Sequence, residues 1–178
     1  MKKAYIVVDM NNDFVADDGS LTLGKTGQVL VEKQVKRAQE FLNNGDVVVF
    51  CNDCHQKDDE HFKMWPPHCV DGTKGELLYG ALNDFYEKNK HHNHVIYIKK
   101  SEYDAFYKTT LSQQLKELNV DEVYICGVCT DICVFNTVYG AYKEGFKTNV
   151  YKDECATFTG NHDIFINQMA AIYKTNII

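Results

Sequence analysis

EVYICGVCTDICVFNTVYGAYKEG, residues 122–145, carries a strand, a turn and a helix in one stretch. Glu122 to Gly127 is an apolar run of strand length. Asp131 to Glu144 reads as a helix, and Gly145 ends it. The unit repeats in both directions. Upstream, strands are expected at Tyr5 to Asp9, Val47 to Asn52 and Val95 to Lys99. Helices are expected between them. Gln28 to Asn44 repeats Val31, Val35, Ala38, Phe41 and Leu42 at three- and four-residue spacing, and Asn44-Gly45-Asp46 stops it. Glu76 to Lys90 puts Leu78, Leu82, Phe85 and Tyr86 on one face, and Leu111 to Leu118 is a further helix. Downstream come a strand at Lys147 to Lys152, a helix at Asp163 to Tyr173 and a short strand at Thr175 to Ile178. The strands are apolar throughout instead of alternating, as in sheets covered on both faces. The expected fold is therefore α/β: three layers, α/β/α, around a six-stranded, mostly parallel sheet.

Composition agrees with that class. The chain has 178 residues, 44% hydrophobic and 25% charged, which suits one globular domain over residues 1–178. A chain of this length can bury roughly 70% of the surface its unfolded form exposes. The longest apolar runs are far short of the roughly 20 residues a spanning helix needs, so no membrane crossing is expected. The start, Met1-Lys2-Lys3 and a brief apolar run, lacks the features of an export signal. With a net charge of −6 and a single arginine, Arg37, there is no basic face for nucleic acid or an anionic membrane. The odd count of seven cysteines fits reduced thiols in a cytoplasm better than a disulfide framework.

In a parallel sheet, ligands bind outside the carboxyl ends of the strands, near the point where strand order reverses. Four consecutive strand ends here carry reactive groups. The first ends at Asp9, the second at Asp53 followed by Cys54 and His55, and the third at Lys99 and Lys100. The fourth ends at Gly127 and runs on into Val128-Cys129-Thr130-Asp131-Ile132-Cys133. Cys133 is expected in the first turn of a helix capped by Thr130 or Asp131, where backbone N–H groups favour a thiolate. Cys51, Cys126 and Cys155 read instead as buried core thiols. The segment at about 53–75 has no clean period. It offers Asp53, His55, His61 and His68 as oxygen and nitrogen donors suited to Zn, Fe or Mn, with the stiff Trp65-Pro66-Pro67-His68 beside them. A redox dithiol at Cys51 and Cys54 and an iron–sulfur site at Cys126, Cys129 and Cys133 both fit poorly. The first lacks a following helix, and the second lacks a fourth ligand.

Taken together, Val7 to Phe14, Asp53-Cys54-His55 through Trp65-Pro66-Pro67-His68-Cys69, Lys100 to Phe106, and Gly127 to Val134 resemble the isochorismatase-like cysteine hydrolase superfamily. Within it, the metal segment resembles the nicotinamidase (pyrazinamidase) branch. The resemblance implies hydrolysis of nicotinamide to nicotinate and ammonia through a thioester, in NAD salvage, with pyrazinamide as a second substrate. It implies a catalytic triad of Asp9, Lys100 and Cys133. It also implies an oxyanion hole from the backbone N–H groups of Cys129 and Cys133, with a cis peptide between Val128 and Cys129. Phe14, Trp65 and Tyr103 would hold the pyridine ring. One divalent metal, zinc before iron or manganese, would sit on Asp53, His55 and His68, with His61 at the variable fourth position. A Lys three residues before Tyr103 selects Lys100 over Lys99. Asp104 departs from the serine common in relatives. The partners implied are a small-molecule amide and, in a homo-oligomer, further copies of the chain. An amidase acting on a carbamoyl group and a metal-binding or redox module without turnover are the competing readings.

Overall fold

The computed structural model describes residues 2–178. Six strands form one sheet: β1 (Lys2–Val8), β2 (Val47–Asp53), β3 (Val95–Lys100), β4 (Val120–Val128), β5 (Lys147–Ala156) and β6 (Asn176–Ile177). The order across the sheet is β3-β2-β1-β4-β5-β6, and every neighbouring pair is parallel. The expected "mostly parallel" sheet is thus parallel throughout. The central strands are apolar because both of their faces are covered: Ala4 to Val8 and Val47 to Cys51 are wholly buried.

Seven α-helices connect the strands: α1 (Asn12–Val15), α2 (Lys25–Gln28), α3 (Val31–Asn43), α4 (Ala81–Asn89), α5 (Leu111–Glu117), α6 (Phe135–Lys143) and α7 (His162–Tyr173). Helix α3 packs on α4, and α6 on α7. The chain moves outward from β1 in one direction and from β4 in the other, so right-handed crossovers put these two helix pairs on opposite faces. That is the α/β/α sandwich. Strand order reverses between β1 and β4, which makes their carboxyl ends the crevice.

Strands β1 and β5 run longer than expected, from Lys2 and to Ala156, and three helical elements differ from the expected bounds. The helix expected from Glu76 starts only at Ala81, because Gly80 takes a φ of 53° and Leu78 bridges to Asn11 instead. The helix expected from Gln28 is broken at Val29 and Leu30 into α2 and α3. The segment expected to begin a helix at Asp131 is a π-helical turn, Thr130–Val134, which passes directly into α6. In the loop after β2, two single 3₁₀ turns, Glu60–Lys63 and Lys74–Glu76, supply the only helical structure.

Candidate active site

The first strand delivers Asp9 to the crevice in an unusual backbone state. Its φ is 52°, in the left-handed region that few side chains other than Asn and Asp adopt. The carboxylate is fully bonded there. Oδ1 accepts the Asp53 backbone N–H at 2.8 Å, and Oδ2 accepts Lys100 Nζ at 2.8 Å. Lys100 also donates to Asp53 Oδ1 at 2.5 Å. All three side chains are buried. Strand alternation separates the two candidate lysines. Lys100 faces this cluster, whereas Lys99 leaves the opposite face and binds Asp71 and Glu76 at 2.7 Å each.

The fourth strand delivers the thiol. Gly127, with φ at 115°, lets β4 pass so close to β1 that a Cβ would stand 2.0 Å from the Val8 carbonyl oxygen. The Val128–Cys129 peptide is cis, and the π-helical turn then presents Cys133. Cys133 Sγ and carboxylate oxygens of Asp9 and Asp53 lie within 4.8 Å of one another. The expected cap differs. Cys129 occupies the position before the turn, and no side chain caps it. Thr130 bonds His162 instead, and the Asp131 carboxylate accepts the hydroxyls of Thr157 and Thr159.

Electrostatics follow from this burial. Burial and the neighbouring Asp53 charge push Asp9 up to about 6, against the pull of Lys100. Burial also pushes Asp53 up, but the Lys100 ammonium and the His55 and His68 imidazoles facing it outweigh it. Its carboxyl is held well below the usual carboxylate range. Burial pulls Lys100 toward the neutral amine, and its two carboxylates reverse that, holding it well above the ordinary lysine value. Burial, then the Asp9 charge, drives the Cys133 thiol up, with Lys100 opposing. The pull toward a thiolate expected at this turn is thus opposed by burial and by the Asp9 charge, and Asp9 stands beside the sulfur as a proton acceptor.

The irregular loop brings His55, His61 and His68 together, each offering a ring nitrogen within 4.8 Å of the others. Asp53 Oδ2 lies 3.5 Å from His55 Nε2 and 3.6 Å from His68 Nε2. The far nitrogens are already engaged. His55 Nδ1 meets Asp59 Oδ2 at 3.0 Å, and His68 Nδ1 meets the Pro66 carbonyl at 2.8 Å. Both rings thus turn Nε2 inward, and His55 Nε2 is buried without a hydrogen-bond partner. A buried, unsatisfied nitrogen among two more imidazoles and a carboxylate fits a divalent metal ion, with Asp59 and Pro66 as the outer groups that fix the ring tautomers. Asp59 was not singled out in the sequence. The signal was available as a carboxylate four residues after a candidate ligand.

The thiol and the imidazoles of His61 and His68 open onto one pocket. Phe14, Trp65 and Tyr103 all line it, as do Cys129 and Cys133. Trp65 Nε1 donates to Tyr103 Oη at 3.1 Å, and the Phe14 ring sits 5.4 Å from that of His68. Leu21, Ile132 and Phe158 also line the pocket. Sequence reasoning missed them because single apolar residues in loops (Leu21, Phe158) or in one short π-helical turn (Ile132) carry no pattern. Asp104 lies outside the pocket lining. It is half-buried, accepts the Phe106 N–H at 2.8 Å and packs against Gly140, so it holds the turn that follows Tyr103. Such a pocket, with a nucleophile and a proton acceptor in its lining and a cation behind them, suits attack on a small planar carbonyl compound.

Comparison with known proteins points the same way. The isochorismatase domain family matches residues 3–177. An isochorismatase family protein of Bacillus subtilis is 44% identical over 161 residues, covering 89% of this chain and 88% of its own. The crystal structure of a nicotinamidase/pyrazinamidase from Bacillus subtilis superposes with a TM-score of 0.95 at 38% identity, covering 99% of each chain. A pyrazinamidase of Pyrococcus horikoshii in complex with zinc superposes at 0.88 with 27% identity, covering 100% of this chain and 99% of the other.

Proposed function

The chain belongs to the isochorismatase domain family, and from that premise we propose that it hydrolyses nicotinamide to nicotinate and ammonia. One observation carries the reading: Asp9 and Cys133, from distant parts of the chain, line one pocket, Lys100 bonds Asp9 from behind it, and the pocket wall holds the His61 and His68 imidazoles and four aromatic rings. Pyrazinamide, with the same carboxamide on a similar ring, is a second substrate.

Asp9 takes the proton of Cys133 as sulfur attacks the carboxamide carbon. Lys100 stabilises the developing thiolate electrostatically and keeps Asp9 in place. The backbone N–H groups of Cys129 and Cys133 receive the carbonyl oxygen as it gains charge. Protonated Asp9 then gives its proton to the departing ammonia, leaving a thioester on Cys133. A water, deprotonated by Asp9, attacks the thioester and releases nicotinate, and the proton returns to sulfur. Phe14, Trp65 and Tyr103 hold the ring so that the carboxamide reaches the thiol. Asp53, His55 and His68, with His61 beside them, would hold one divalent metal, zinc before iron or manganese, and the metal supplies a Lewis-acidic anchor for the ring nitrogen. The seven cysteines are unpaired and no helix among the described residues is long and apolar enough to cross a membrane, in keeping with a cytoplasmic enzyme of a single domain.

The deciding experiment is ammonia release from nicotinamide by the wild type, by Cys133→Ala and by Cys129→Ala, with and without chelator. Wild type and Cys129→Ala should turn over, because only the Cys129 backbone acts. Cys133→Ala should be silent, and chelator should lower the rate until metal is restored. Equal activity in the two variants refutes the assigned nucleophile. Turnover of ureido compounds in place of nicotinamide would move the enzyme to carbamoyl substrates.

A further inference from the structure

Phe158 sits on the loop between β5 and α7, 49% exposed, yet it lines the pocket that holds Cys133. Its ring stands edge-on to Trp65, centroids 6.4 Å apart at 75°. An exposed phenylalanine on a surface loop is ordinarily free to swing, but this loop is fastened on both sides of the ring. Asp131, in the π-helical turn, accepts the Thr157 hydroxyl at 2.6 Å through Oδ1 and the Thr159 hydroxyl through Oδ2. Thr157 Oγ1 accepts the Thr159 N–H at 3.3 Å, and Thr159 Oγ1 accepts the Asn161 N–H at 3.2 Å. One residue further, His162 Nδ1 meets Thr130 Oγ1 at 2.8 Å. The turn that carries the thiol therefore also fixes the place of Phe158.

We propose that Phe158 is a specificity-determining residue, a further aromatic wall that covers the substrate's ring at the pocket mouth, with Asp131 as the clasp that positions it. The inference rests on the reading of the site as an amidase for an aromatic carboxamide. Its physical basis is apolar area. Half of the Phe158 surface faces solvent and does little for folding stability. A planar ring seated between the nucleophile and the mouth removes the pocket-facing part of that surface from water and adds an aromatic contact. An aliphatic amide brings no ring and gains nothing from Phe158. A contact of this kind changes affinity by roughly two- to tenfold.

The test compares wild type, Phe158→Ala and Phe158→Tyr, with nicotinamide and with a small aliphatic amide. It also uses the chain's single tryptophan, Trp65, as an occupancy probe. Quenching of Trp65 fluorescence by nicotinamide in the Cys133→Ala background gives a dissociation constant without turnover. Phe158→Ala should raise KM for nicotinamide and that dissociation constant by the same roughly two- to tenfold, with kcat nearly unchanged. Phe158→Tyr should restore both, and kcat/KM for the aliphatic amide should not move. Asp131→Ala should reproduce the rise in the dissociation constant. Wild-type turnover with an unchanged KM in Phe158→Ala overturns the inference and leaves the amidase intact. Equal losses on both amides also overturn it, since they mark a structural role. A wild type that neither quenches with nor hydrolyses nicotinamide overturns the amidase reading itself, and this inference falls with it.

Discussion

At the scale of single residues, the site works by placing one proton. Asp9 lies between an ammonium that favours its charge and a buried setting, with Asp53 alongside, that disfavours it. The balance holds it at about 6, above the ordinary aspartate value. The sign follows directly. Above pH 6 Asp9 is ionised and can take the thiol proton. Below it the carboxyl is already protonated and cannot. The kcat/KM profile should therefore fall on an acid limb near pH 6, about tenfold per pH unit. A flat profile down to pH 4.5 would remove Asp9 as the base. Asp9→Asn keeps the bonds to Lys100 and Asp53 weakly at best and cannot accept a proton, so kcat should drop by about 1,000-fold or more. Asp59 acts one contact further out. Because it holds Nδ1 of His55, Asp59→Ala should weaken metal affinity by about 10- to 100-fold in a chelator competition, with little change in folding.

At the scale of elements, the crossing of β1 and β4 is the tightest constraint. Gly127 combines a φ of 115° with a Cβ position 2.0 Å from the Val8 carbonyl oxygen, directly before Asp9. Gly127→Ala should cost about 3 kcal/mol or more, read as a lower urea midpoint, and should also disturb Asp9. An alanine variant as stable as the wild type would mean that β4 can shift without consequence. The strands themselves were legible because a buried parallel sheet demands unbroken apolar runs, and Ala4 to Val8 and Val47 to Cys51 are such runs. Helix starts were less legible. Leu78 fits the periodicity of Leu82, Phe85 and Tyr86, yet it belongs to a bridge with Asn11, since Gly80 breaks the helix first. Periodicity marks which side chains are buried, not which backbone carries them. The π-helical turn at Thr130–Val134 left no pattern at all, because one added residue per turn alters no hydrophobic repeat over so short a span.

At the scale of the whole molecule, the sheet and the irregular loop are held by different forces. Polar residue types at successive strand ends made Asp9, Asp53, Lys100 and Cys133 legible as neighbours, since a parallel sheet sends all its carboxyl ends one way. What the letters did not show is that Lys100 joins Asp53 as well as Asp9, so that the histidine cluster and the thiol share one buried ion network. Pair contacts across an interior leave no local trace in a chain. The sheet buries its apolar strands, and none of the three histidines belongs to one of them. The 56–64 segment is mostly exposed, with one 3₁₀ turn and no buried apolar residue. His61 in that segment faces the buried His55, His68 and Asp53, and a cation shared by the four would tie the segment to the sheet. Chelation should therefore loosen the loop and spare the sheet. Hydrogen exchange of the stripped protein should speed up across residues 55–70 while amides of β1, β2 and β4 keep their protection, and added zinc should reverse the change. Uniform loss of protection across the sheet would show instead that the ion holds the whole fold together, and that the loop is not a separate unit seated on a self-sufficient core.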